Sequence, residues 1–81
     1  MSNLTLYSTD HCSLCDQALD LLLGMRQVAG LQLVVVDIAL DDALMARYAQ
    51  SIPVLRIGEH ELHSPFDRDT LATWLQSIED P

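Results

Sequence analysis

Within 81 residues the spacing of apolar side chains switches repeatedly between the two-residue repeat of a strand and the 3.6-residue repeat of a helix. Short strands separated by helices bury their faces only by pairing across helical connections, which confines the chain to α/β arrangements. Residues 3 to 8, Asn-Leu-Thr-Leu-Tyr-Ser, read as the first strand. Apolar residues at 14, 18, 21, 22, 25 and 28 follow a helical period, with Asp16, Asp20 and Gln27 on the opposite face and Gly30 offering a left-handed cap. The nearly continuous apolar run at residues 31 to 37 suits a strand covered on both faces of a parallel sheet. Asp41 and Asp42 can cap a short helix reaching about Tyr48. Residues 53 to 57 read as a strand with Pro53 tolerated at its start, and Gly58 before His60-Glu-Leu-His63 predicts a hairpin to a short edge strand. Ser64-Pro65 or Asp67 opens a last helix carrying Leu71, Trp74, Leu75 and Ile78.

The order is βαβαββα, which predicts one α/β domain over residues 1–81: a four-stranded mixed sheet with helices on both faces. Right-handed crossovers place the first and last helices on the same face. A domain this small buries only roughly 60% of its unfolded surface. No internal repeat or linker interrupts it.

Charge narrows the function. Twelve acidic residues against four arginines and no lysine give a net charge of -8. Phosphate backbones require a basic surface, so nucleic acid is not expected as a partner. No run approaches the ~20 apolar residues of a membrane span, and Met-Ser-Asn-Leu-Thr does not read as a signal peptide, so a cytoplasmic monomer away from membranes is expected.

The two cysteines, Cys12 and Cys15, stand three apart in His11-Cys-Ser-Leu-Cys-Asp16. The fold order puts Cys12 past the carboxyl end of strand 1 and at the amino end of helix 1, where α/β sheets usually hold their chemistry. Three uses are open to such a pair. Free cysteines can be core packing. With His60 and His63 they make a Cys2His2 set of zinc-ligand types, although 44 residues separate the pairs and His60 and His63 differ by an odd number on one strand. Or they are a redox dithiol: Cα atoms three apart in a helix lie roughly 5 Å from one another, inside the disulfide window, with Cys12 at the unpaired amides and Cys15 one turn further in. The helix end favours a Cys12 thiolate by ~0.3–1 kcal/mol. Asp10 and Asp16 oppose it, each by roughly 0.6 kcal/mol at about 7 Å, and His11, if charged, restores part. Cys12 is therefore expected to be only modestly more acidic than a free thiol. His11 otherwise reads as a surface loop residue, Asp16 and Asp20 as a solvated helix face, and Tyr7 and Trp74 as packing, with Phe66 left open.

Tyr7-Ser-Thr-Asp-His-Cys-Ser-Leu-Cys15 together with Ser51-Ile-Pro-Val-Leu55 resembles the glutaredoxins of the thioredoxin-fold superfamily, and more narrowly a group of short bacterial glutaredoxin-like domains. The match spans nearly the whole chain. It implies a minimal thioredoxin/glutaredoxin-like fold, Cys12 as nucleophile, Cys15 as resolving thiol, and a cis Ile52-Pro53 bond facing the dithiol, with the Ile52 backbone pairing with a bound thiol substrate. The activity implied is thiol-disulfide exchange with a protein or low-molecular-weight disulfide and no permanently bound cofactor. Thr9 stands where the family usually has lysine, and His63-Ser-Pro-Phe-Asp67 where it has Gly-Gly and acidic residues that hold glutathione, leaving only Asp67 to stand for that acid. These departures weigh against glutathione bound in the family's usual manner. A redox-inactive module that holds a partner peptide along the proline segment is the remaining alternative.

Overall fold

The structure, a computed structural model, describes residues 3–79. The strand β1 (Asn3–Ser8) lies in the middle of the sheet, burying Leu4 and Leu6 on one face and Tyr7 on the other. It is followed by α1 (Ser13–Leu23), α2 (Arg26–Ala29), β2 (Gln32–Asp37), a 3-10 turn at Ile38–Leu40, α3 (Asp42–Tyr48), β3 (Val54–Ile57), β4 (His60–His63) and α4 (Arg68–Glu79). The sheet order is β2-β1-β3-β4, with β1 parallel to β2, antiparallel to β3, and β3 antiparallel to β4. This is the predicted four-stranded mixed sheet.

Two apolar clusters show how the helices are divided. Ala18 and Leu22 of α1 meet Leu71 and Leu75 of α4 against Leu4, Leu6, Leu55 and Ile57. Tyr48 of α3 packs with Tyr7, Ile38 and Val54 on the opposite face. The expected pairing of first and last helices on one face is therefore observed. The hairpin is observed too: Gly58 takes φ 60 in a two-residue turn, where a residue with a Cβ is strained.

Three expectations need correction. The helical period from 14 to 28 is not one helix, because α1 stops at Leu23 and the chain restarts at Arg26. Gly24 caps the break, and glycine's cost of about 1 kcal/mol inside a helix removes the penalty for stopping there. Met25, in extended backbone, then turns so that it and Val28 both reach the core. Gly30 caps α2 with φ -87, so its conformation is right-handed rather than left-handed. Third, β2 is not covered on both faces: as an outermost strand it leaves Val35 52% exposed.

Of the two candidate starts for the last helix, Asp67 is the cap. Its Oδ1 accepts from the Thr70 amide at 2.8 Å and its carbonyl from Leu71 at 2.9 Å. Asp41 caps α3 as expected, accepting from Ala43 at 2.9 Å and Leu44 at 3.2 Å. No described helix is long and apolar enough to cross a membrane.

Candidate functional site

The carboxyl end of β1 delivers the chain to a tight turn before α1. His11 sits there with φ 59, the left-handed region that histidine enters more readily than most residues. The reversal sets Cys12 in extended backbone, φ -112 and ψ 101, as the residue capping α1. Serine, threonine or aspartate usually fills this position, offering oxygen to an unpaired amide. Here sulfur does so: Cys12 Sγ accepts from the Cys15 amide at 3.2 Å, while the Cys12 carbonyl accepts from Asp16 at 3.1 Å.

Cys12 and Cys15 form a disulfide with Cα atoms 5.2 Å apart, so the bridge fits inside one helical turn. The two sulfurs live in different surroundings. Cys12 is half-buried at the helix mouth, whereas Cys15 is 3% exposed. Cys12 is thus the more accessible of the two sulfurs.

The second half of the site comes from the chain before β3. Ile52-Pro53 is cis, as is Ser64-Pro65. The Tyr48 carbonyl accepts from both Ser51, at 2.8 Å, and Ile52, at 3.1 Å, and the Pro53 carbonyl accepts from Ser64 at 3.2 Å. These bonds tie the proline segment to the end of α3 on one side and to the end of β4 on the other. Pro53 shares a shallow apolar hollow of about 70 Å³ with Leu14, Ala18, Leu21, Pro65 and Phe66, joined by Gln17 and Ser64. Leu14 lies between the two cysteines, so this hollow adjoins the dithiol. Phe66, unassigned from sequence, packs against the main core and walls it.

A second hollow, about 290 Å³, opens on the other side of Cys15. Leu6, Leu19 and Val35 contribute its apolar lining, with Ser8, Thr9, Asp10, His11, Asp16 and Asp37 completing it. The expected modulators Asp10, His11 and Asp16 are thus gathered around Cys15, all exposed. Asp67 lines neither hollow. Hydrogen bonding from the Thr70 amide holds its carboxyl below the usual carboxylate range.

The zinc set is not assembled. Among the described residues no three His, Cys, Asp or Glu side chains gather to hold a metal ion. His63 is engaged elsewhere, at 2.9 Å from Glu61 and edge-on to the Tyr48 ring, while His60 opens β4 opposite Ile57.

A polar cluster on the α3 face escaped sequence reasoning. Tyr48, 1% exposed, stacks on Tyr7 with ring centroids 4.5 Å apart and donates its hydroxyl to Glu61 at 2.5 Å. Glu61 also meets His63 and, at 3.6 Å, Arg47. The His63 and Tyr48 contacts lower the Glu61 carboxyl, and burial followed by the Glu61 contact raises the Tyr48 phenol. Tyr48 therefore joins three parts of the site: its ring meets the strand that leads to Cys12, its carbonyl holds the proline segment, and its hydroxyl reaches β4.

A parallel βα unit with a dithiol at its strand-to-helix junction, followed by a cis-proline before an antiparallel hairpin, defines a protein of the thioredoxin-like fold. The glutaredoxin-like domain family (DUF836) matches over residues 3–76, and the chain belongs to that family. Target protein XcR50 from X. campestris, in an X-ray structure, is 41% identical over 91% of this chain and 96% of its own, with a TM-score of 0.80. Its solution structure aligns with a TM-score of 0.77, covering 93% of this chain and 94% of that one. Protein Ne2328 from Nitrosomonas europaea is 25% identical over 90% of this chain and 89% of its own, with a TM-score of 0.73. No curated protein matches the chain. Family and cysteine geometry together support a thiol-redox role in general.

Proposed function

We propose that the protein is a small thiol-disulfide oxidoreductase in which Cys12 attacks and Cys15 resolves. The observation that carries this reading is the unequal placement of two sulfurs already within bonding reach: Cys12 half-buried at a helix start, Cys15 buried behind it. In the reduced form the Cys12 thiolate, favoured by the Cys15 amide and the helix end, attacks one sulfur of a substrate disulfide. The substrate S–S bond breaks, its outer sulfur leaves as a thiolate that takes a proton, and Cys12 is left in a mixed disulfide. Cys15 then loses its proton and attacks Cys12 Sγ, closing the intramolecular disulfide and releasing the second substrate thiol. The substrate gains two electrons and the protein loses them, so an external dithiol or paired monothiols must reduce Cys12–Cys15 before the next turn. A reducing compartment such as the cytoplasm provides such donors. No resident cofactor takes part, and the Ile52 backbone, with Pro53 beside the dithiol, serves as the rest for the incoming chain.

Turnover of a peptide disulfide with dithiothreitol as donor tests the assignment. Cys12→Ser is expected to abolish the increment over the background rate. No increment from the wild-type protein would assign the fold to peptide binding without redox chemistry, and an increment undiminished in Cys12→Ser would remove Cys12 as the nucleophile.

A further inference from the structure

The two hollows beside the dithiol differ in chemistry, and among the described residues no arginine lines either. One is apolar, formed chiefly by Leu14, Pro53, Pro65 and Phe66. The other carries Asp10, Asp16 and Asp37. All four arginines lie elsewhere: Arg26 and Arg68 beside Gly24, Arg47 toward Glu61, and Arg56 on the opposite sheet face near Tyr7.

We infer, on the footing of the exchange reaction proposed above, that the preferred substrate is a disulfide in an extended, cationic segment of a partner protein. An apolar side chain next to its cysteine enters the Leu14–Pro53–Phe66 hollow, and an arginine or lysine on the other side meets Asp10 and Asp16. Charge complementarity selects this occupant. A small disulfide rich in carboxylates, such as glutathione disulfide, finds no guanidinium or ammonium among the described residues of either hollow and brings its negative charge against the aspartates. Like charges brought together discriminate as effectively as opposite charges attract. The substrate class is thus set by Leu14 and Phe66 on one side and by Asp10 and Asp16 on the other.

With about 8 Å between each of these two carboxylates and a charge on the bound segment, exchanging arginine for glutamate changes the rate about 15-fold in 10 mM salt and less than about 1.5-fold in 1 M salt. Filling the apolar hollow with leucine rather than serine adds about fivefold.

The test is a single-turnover oxidation of the reduced protein at pH 8, where histidine is ordinarily neutral. Three symmetric peptide disulfides with leucine before cysteine differ only in one later residue, arginine, glutamine or glutamate, and glutathione disulfide is the fourth probe. Each rate is divided by that of the same disulfide with dithiothreitol. The order expected is arginine, glutamine, glutamate, with glutathione disulfide below the glutamine peptide and the spread collapsing in 1 M salt. In the doubly substituted Asp10→Asn, Asp16→Asn protein the arginine-to-glutamate ratio is expected to fall below about threefold. Any change in the Cys12 thiolate moves all peptides together and cancels in that ratio. Arginine and glutamate peptides within twofold in 10 mM salt, while the glutamine peptide reacts, would overturn this inference and leave the exchange reaction standing; so would a ratio that survives the double substitution. Failure of every probe to oxidise the dithiol would overturn the exchange reaction and this inference together.

Discussion

Removing the Tyr48 hydroxyl probes how the two halves of the site are tied together. In Tyr48→Phe the ring remains stacked on Tyr7, and only the bond to Glu61 is lost. A hydrogen bond to a charged group contributes about 1.5–3 kcal/mol. Glu61 keeps His63 and Arg47, so its carboxylate is not stranded and the lower end, about 1.5 kcal/mol, is expected. For a domain of this size that corresponds to a fall of roughly 6–12 °C in Tm. The pH dependence follows from the sign of the Glu61 shift. Its carboxyl is lowered in the folded protein, so its contribution is fully present above the unfolded value of about 4.3 and is lost as pH falls through the folded value. Below that window Tyr48 faces a neutral acid, and the difference between wild type and variant should shrink to about 0.5–1 kcal/mol. Urea denaturation at pH 7 and at successively lower pH follows the difference through that window, and a cycle with Glu61→Gln isolates the pair. A pH 7 loss below about 0.5 kcal/mol, or one that grows in acid, would show that the Tyr48 hydroxyl does not stabilise the fold through an ionised Glu61.

Alkylation of the reduced protein should modify Cys12 well before Cys15, because Cys15 is buried; peptide mapping of a partial reaction reads the order. The midpoint of Cys12 alkylation against pH is expected only modestly below that of a free thiol, since Asp10 and Asp16 oppose the helix end, and a midpoint below about 5 would contradict that balance. Asp67→Ala removes the α4 cap and should cost about 0.5–2 kcal/mol by urea denaturation. Asp67→Asn, which keeps an accepting oxygen, should cost less.

Much of this arrangement was legible in the chain itself. The periods around Ala18 and Leu22 and around Leu71 and Leu75 marked the two helices that share a face, and the place of Cys12 after the first strand marked the junction where it caps α1. The resemblance supplied the cis Ile52-Pro53 bond, which no local pattern in the chain indicates. What escaped depends on partners distant in sequence. An apolar run reports that residues 33 to 36 favour a strand but not that β2 is outermost, where Val35 meets solvent. Helical spacing continued through Gly24 because Met25 and Val28 do reach the core, yet from a second, turned segment. Tyr48 and Glu61 stand 13 residues apart and meet only because the β3–β4 hairpin folds back beside the end of α3. Cys2His2 spacing was misleading for the same reason: His63 sits on the Tyr48 face, engaged by Glu61.

Attack by Cys12 and release by Cys15 are separate steps, and the first can be trapped. Reduced Cys15→Ser protein, mixed with a peptide disulfide and quenched in acid, should accumulate a mixed disulfide that intact-mass and peptide mapping locate on Cys12, while the wild-type protein passes directly to the Cys12–Cys15 disulfide. No adduct in Cys15→Ser, with wild-type protein oxidised at an undiminished rate by the same peptide, would contradict the assignment of Cys12 as the nucleophile.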